Sequence, residues 1–260
     1  MAKKNRKAKN PRFLIAGNWK MNPESIDLAR ALIRRVSKVA YASSHVETVG
    51  CPPYPVLSLV KPEKNISLGA QDCYFEDRGP YTGSVSPAML KSAGCKYVIV
   101  GHSERRAQGE TNDIVAKKLR AAVRARLSVI LCIGETHRDT EGNYLSAIRE
   151  QLKESLVYVE RSMLQHVVIA YEPVWAIGGE VAVASHDIHQ AVIFIRKVLT
   201  EAYTPELVRS MQILYGGSSN AQNAEDILSR GEVAGLLVGG ASLVAEDFSE
   251  VIRIAHRLKK

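Results

Sequence analysis

Eight short apolar runs alternate with longer stretches of helical periodicity along this 260-residue chain. They fall at 13–17, 46–50, 66–70, 97–101, 127–133, 166–171, 211–215 and 233–239, and each is rich in Val, Ile, Leu or Ala without clean period-two alternation. A strand with one wet face alternates and a strand covered on both faces does not, so the runs read as parallel strands packed between layers. Helices are expected near 25–43, 86–93, 111–126, 142–164, 186–203, 220–230 and 243–258. Asn22-Pro23 and Ser86-Pro87 have the form of an N-cap followed by proline at the first helical position. Thr111, Ser185 and Asn220 are further candidate caps.

Strands joined through helices, with no linker or low-complexity break, argue for a single α/β domain. An open doubly wound sheet and a closed (β/α)8 barrel compete. The count of eight, the regular spacing and a length near the roughly 250 residues of such barrels favour the barrel. No G-x-G-x-x-G follows the first run, which counts against a dinucleotide-binding sheet. The catalytic domain is expected over residues 13–258.

Residues 1–12 form a basic N-terminal extension carrying Lys3, Lys4, Arg6, Lys7, Lys9 and Arg12 and no acid. The formal net charge is +8, so the extension accounts for most of it and the basic balance says little about the folded surface. It has no aromatic side chain to stack bases, and reads as a disordered solubilising tail in preference to a nucleic-acid-binding arm. It also lacks the apolar segment of a secretory signal. No apolar stretch approaches the roughly 20 residues that span a bilayer, so no membrane partner is expected. Cys51, Cys73, Cys95 and Cys132 show no C-x-x-C spacing and read as free thiols of a cytoplasmic protein.

Active sites of (β/α)8 barrels gather where the strands end. Here those ends are Gly17-Asn18-Trp19-Lys20, Gly101-His102-Ser103-Glu104, Glu172, Tyr215-Gly216-Gly217-Ser218 and Gly239-Gly240-Ala241-Ser242. The two glycine pairs let backbone N–H groups approach an anion, and loops after the seventh and eighth strands commonly hold phosphate in barrels. Glu172 closes an apolar run and is followed by Pro173, Trp175, Gly178 and Gly179, the composition of a flap; a carboxylate there can act as a general base once water leaves. His102 precedes a helix-like Ser103-Glu104-Arg105-Arg106 segment, where a neutral ring can donate to a carbonyl. His186 and His189 have i, i+3 spacing but no third ligand, so no metal site is expected.

Together with Ala170-Tyr171-Glu172-Pro173-Val174-Trp175-Ala176-Ile177-Gly178, these segments appear in the order of the triosephosphate isomerase family, which residues 13 to 258 resemble. That family is itself the worked case of a glutamate base paired with a neutral imidazole, so these roles come with the resemblance. It implies a TIM barrel that interconverts dihydroxyacetone phosphate and glyceraldehyde 3-phosphate, as in glycolysis and gluconeogenesis, without metal or organic cofactor. Glu172 would be the base, His102 the carbonyl-polarising acid, Lys20 the electrostatic partner and Asn18 a hydrogen-bond donor. Gly178, Ser218, Gly239 and Gly240 would hold the phosphate through backbone N–H groups, with Ser103 and Glu104 behind them. The segment Gln71 to Gly83, with Thr82 at its tip, resembles the family's protruding loop and implies a homodimer. Another phosphate-binding barrel, such as a sugar-phosphate lyase, and a non-catalytic binding protein on the same scaffold are the alternatives. One departure stands out: where the family usually runs threonine, glycine, lysine, this chain has Gly179, Glu180 and Val181, which implies slower or leakier flap closure.

Overall fold

The computed structural model of the protein describes residues 13–42, 45–60, 65–177 and 183–259. The basic extension and the flap residues Gly178, Gly179, Glu180 and Val181 lie outside the described residues. Eight parallel strands close on themselves in sequence order: β1 (Phe13–Asn18), β2 (Val46–Cys51), β3 (Ile66–Ala70), β4 (Cys95–Val100), β5 (Ser128–Ile133), β6 (Val167–Tyr171), β7 (Ile213–Tyr215) and β8 (Gly235–Val238). The seam is the pairing of β1 with β8, in register from Leu14 opposite Gly235 to Gly17 opposite Val238. Helices follow the strands: α1 (Ile26–Ala42), α2 (Tyr54–Leu57), α3 (Pro87–Ser92), α4 (Ser103–Ala107), α5 (Asn112–Arg124), α6 (Tyr144–Leu156), α7 (Ser185–Thr200), α8 (Pro205–Ser210), α9 (Ala224–Arg230) and α10 (Ala245–Arg257).

Two apolar layers explain the continuous apolar runs. Leu14 and Ala16 of β1, Ile99 of β4, Ile130 and Cys132 of β5 and Leu237 of β8 fill the barrel interior. Their neighbours Phe13, Ile15, Val100, Leu131 and Leu236 face the other way and pack beneath the helices. Successive side chains leave opposite faces of a strand, so burial on both sides demands an apolar residue at nearly every position. Truncating fully buried Leu131 to alanine costs on the order of 2–5 kcal/mol.

The expected strands coincide with the observed ones to within two residues. Two caps behave as read: Ser86 and Thr111 accept from the N–H groups of Met89 and Ile114 at 3.3 Å each. Asn220 accepts from the N–H groups of Gln222 and Asn223 and starts the turn that leads into α9. The others need correction. Ser25, not Asn22, caps α1 by accepting from Leu28 N–H at 3.2 Å, while the Asn22 amide donates back to Trp19 O and the Asn22–Pro23 peptide is cis. Ser185 is the first residue of α7 and Ala184 occupies the cap position. The helix expected to reach 164 stops at Leu156. Its buried stripe runs Ile148, Leu152, Leu156, and the next position of that stripe is charged Glu160, so the chain turns and re-forms as a short 3-10 helix at Arg161–His166 before β6. Helix α8 was not expected, although Thr204-Pro205 is the same cap-then-proline signal as Ser86-Pro87 and Thr204 does accept from Leu207 N–H.

Candidate active site

Several strands end by handing one or two polar residues to the same mouth of the barrel. Asn18, the last residue of β1, is buried, and its Oδ1 accepts from the N–H of Lys20 at 3.1 Å. Lys20 has φ of 55°, a left-handed conformation that costs a non-glycine residue energy and clusters at functional sites. Two bonds hold it there. The Gln71 amide at the end of β3 donates to Lys20 O at 2.8 Å, and the Lys20 ammonium meets Glu104 Oε1 at 2.5 Å.

His102 caps α4 with its ring: Nδ1 accepts the N–H of Glu104 at 3.2 Å. A nitrogen that accepts carries no proton, so the ring's proton sits on Nε2. That nitrogen lies 3.3 Å from Oε1 of Glu172. Glu172 follows β6 directly, its N–H bonded to Ile133 O at 2.7 Å, and it is 1 % exposed. Its Oε2 accepts from Ser103 N–H at 3.0 Å, whereas Oε1 is buried without a hydrogen-bond partner among the described residues. One oxygen is held and the other is left for a proton.

Two glycines make room for this carboxylate. A Cβ at Gly134 would stand 1.7 Å from Glu172 O, and a Cβ at Gly216 would stand 2.8 Å from Glu172 Cγ. No side chain fits at the first position, and the second tolerates one only if Glu172 or the loop after β7 shifts.

A cavity of 270 Å³ joins these groups: Asn18, Lys20, His102 and Glu172 on one side, and the loops carrying Ser218, Gly239 and Gly240 on the other. Thus every site residue expected from the strand ends lines or adjoins one space, except Gly178, which lies outside the described residues. Ser103 and Glu104 sit behind it, on Glu172 and on Lys20 with His102 respectively. His186 and His189 do not join it. They pair with Gln190 and Glu232 on the outer layer, and no group of three or more metal-ligating side chains occurs among the described residues.

The sequence reading passed over the end of β5. Glu135 is 1 % exposed, and its Oε1 accepts from both Tyr171 Oη at 2.9 Å and Trp175 Nε1 at 2.8 Å, while its backbone O accepts Val174 N–H. The carboxylate therefore ties β5 to the segment that follows Glu172. Its sequence signal resembles that of Glu172: an acid just beyond the end of an apolar run.

The model of the family described as "Triosephosphate isomerase" matches residues 13–255. The chain belongs to the triosephosphate isomerase family. It is 42 % identical over 247 residues to the triosephosphate isomerase of Geobacter metallireducens, covering 92 % of this chain and 97 % of that one. Against the triosephosphate isomerase of Dictyoglomus turgidum it is 39 % identical, with coverage of 93 % and 99 %. Against that of Moorella thermoacetica it is 42 % identical, with coverage of 93 % and 98 %. Matches of this extent favour the isomerase over a lyase or a non-catalytic scaffold. No helix among the described residues is long and apolar enough to cross a membrane.

Proposed function

We propose that this chain works as its family does, as an aldose-ketose isomerase interconverting dihydroxyacetone phosphate and glyceraldehyde 3-phosphate, with Glu172 as the base. The observation that carries the assignment is a buried carboxylate oxygen without a hydrogen-bond partner among the described residues, lying 3.3 Å from the Nε2 of a ring whose other nitrogen is occupied. Glu172 takes a proton from the carbon beside the carbonyl, and His102 donates from Nε2 to the oxygen on which negative charge grows. The Lys20 ammonium offsets that charge and Asn18 donates a hydrogen bond. Backbone N–H groups of Ser218, Gly239 and Gly240, with Gly178, hold the phosphate. An enediolate exposed to water would eliminate its phosphate, so the site must exclude water while the proton moves. A coupled assay with glyceraldehyde 3-phosphate tests the reading: wild type should turn over and Glu172→Gln should lose roughly 10²–10⁴-fold in kcat. Equal rates would overturn it.

We further infer a homodimer built through residues 71–83. The segment is internally braced, with Tyr74 N–H on Val85 O at 2.8 Å and the Tyr74 and Tyr81 rings 4.6 Å apart, yet Tyr81 and Thr82 at its tip are exposed. Beside the active site lies an open cavity of 480 Å³ lined by Lys20, Met21, Tyr54, Glu104 and Arg105, with Met21 94 % exposed. By the resemblance to the family, the tip of a second copy is the occupant. Mass measurement at micromolar concentration should give a dimer, and a fully active monomer would end this proposal. A cytoplasmic location fits the four free, buried thiols.

A further inference from the structure

Arg138 makes three contacts that converge from different elements. Its Nη2 meets Asp187 Oδ1 at 3.0 Å, and its guanidinium carbon lies 5.1 Å from the Tyr144 ring centroid and 5.8 Å from that of Trp175. Tyr144 opens α6, Asp187 sits in the first turn of α7 and Trp175 belongs to the 3-10 turn Val174–Ala176 that follows Glu172. Arg138 itself lies in the β5–α6 loop, a few residues after Glu135, which holds the Trp175 indole from the other side. The crossing from β6 to α7 is therefore referenced to one loop at both ends, at Trp175 by Arg138 and Glu135 and at Asp187 by Arg138 alone.

An exposed ion pair would contribute little here. The Arg138 side chain is only 20 % exposed, and its guanidinium lies over two aromatic rings while pairing with Asp187, a combination that a lysine ammonium does not reproduce. Asp187 is placed well to receive it, since an acid in the first turn of α7 is also favoured by the helix dipole. Trp175 is three residues from Glu172, and the intervening Val174 N–H is fixed on Glu135 O at 2.9 Å. A shift at Trp175 is thus passed along a short, bonded stretch to the base.

We propose that Arg138 is a positioning residue for the isomerisation, holding Trp175 and the start of α7 in the arrangement that sets the Glu172 carboxylate. The proposal rests on the functional reading above. It can be tested with Arg138→Ala, Arg138→Lys and Asp187→Asn in the full chain, reading three quantities. The first is kcat against KM for glyceraldehyde 3-phosphate. The second is the fraction of turnovers that release inorganic phosphate. The third is acrylamide quenching of tryptophan emission, which reports Trp175 because Trp19 is 2 % exposed and Trp175 is 44 % exposed.

Arg138→Ala should lower kcat roughly tenfold, with a smaller change in KM, because a misplaced base reacts slowly. Phosphate release and quenching should both rise. Arg138→Lys should recover part of kcat through Asp187 but little of the quenching protection, and Asp187→Asn should show the milder defect of losing one contact. Wild-type kcat and wild-type quenching in Arg138→Ala would overturn the proposal. So would a kcat loss that tracks a lowered melting temperature with quenching unchanged, because that is general destabilisation. If wild type itself does not isomerise glyceraldehyde 3-phosphate, the functional reading fails on its own. The quenching series would then still decide whether Arg138 holds Trp175.

Discussion

The N–H of Ser103 donates to Oε2 of Glu172 across 3.0 Å, so the first turn of α4 holds the carboxylate that ends β6. Shortening the side chain pulls it off that donor and away from the cavity. Glu172→Asp should therefore fold normally yet lose on the order of 10²-fold in kcat, because a displacement of about 1 Å is enough to spoil proton transfer. Steady-state kinetics beside a thermal melt check this, and an unimpaired kcat would contradict the placement of the base.

Gly216→Ala attacks the same geometry from behind. The added methyl would lie 2.8 Å from Glu172 Cγ, closer than a real contact, so either the base or the β7 loop must move. Overpacking of this kind costs about 1–3 kcal/mol. We expect a lower melting temperature together with a reduced kcat. A variant with the lower melting temperature but full kcat would show that the loop yields and the base does not.

In the wall of the 480 Å³ cavity, Lys118 is 4 % exposed and donates to both oxygens of Asp72, at 2.7 and 2.8 Å, while also contacting Glu110. Lys118→Met keeps the volume, strands the buried Glu110 without its cation and leaves Asp72 with Arg105 alone. Breaking a buried ion pair on one side costs about 3–5 kcal/mol. Urea unfolding should show a loss of that size; a loss under about 1 kcal/mol would mean that water reaches the site.

Glu201 supplies the acid-sensitive contact. Hydrogen bonds from Arg149, at 2.6 and 2.7 Å, and from Lys153 hold its carboxyl at about 2, below the ordinary 4.5. A depressed carboxyl contributes stability that is complete above the unfolded value and is lost as pH falls through the folded one. Wild type should thus melt above Glu201→Gln at pH 7, with the gap closing between about pH 4.5 and 2. The gap should be small because the pair is on the surface. A gap that widened on acidification would refute the assignment.

All four thiols should be silent in the native protein. Each cysteine is free and buried, and burial pushes every thiol up, Cys95 to about 12 and Cys51, Cys73 and Cys132 well above the ordinary thiol value. The thiolate is the reactive form, so a thiol reagent at pH 8 should label none in the native state and all four after unfolding. Rapid labelling of one native cysteine would locate an opening in the barrel wall.

The sequence was legible where one physical demand dominates. Two-sided burial forces near-continuous apolar runs, and those located all eight strands. Site chemistry was legible for the same reason: Asn18, Lys20, His102 and Glu172 are polar residues placed where apolar ones end. What escaped was set by contacts distant in the chain. Asn22 looks like a cap until Ser25 is found on Leu28, and Glu135 gains meaning only beside Tyr171 and Trp175. Arg138 is an ordinary loop cation in one dimension, because its partners Tyr144, Trp175 and Asp187 are gathered only by the closed barrel.

The seam between β1 and β8 has a consequence for biosynthesis. Asn18 and Lys20 leave the ribosome about 220 residues ahead of Gly239 and Gly240. Until β8 arrives, one edge of β1 has no strand to pair with and the phosphate loops have no counterpart. Nascent chains extend at roughly 5–20 residues per second, so that edge stays open for on the order of ten seconds or more and must be shielded from neighbouring chains. On the proposed function, a chain cut off before β8 lacks Gly239 and Gly240, half of the groups assigned to the phosphate, so the strand that closes the barrel also completes the site.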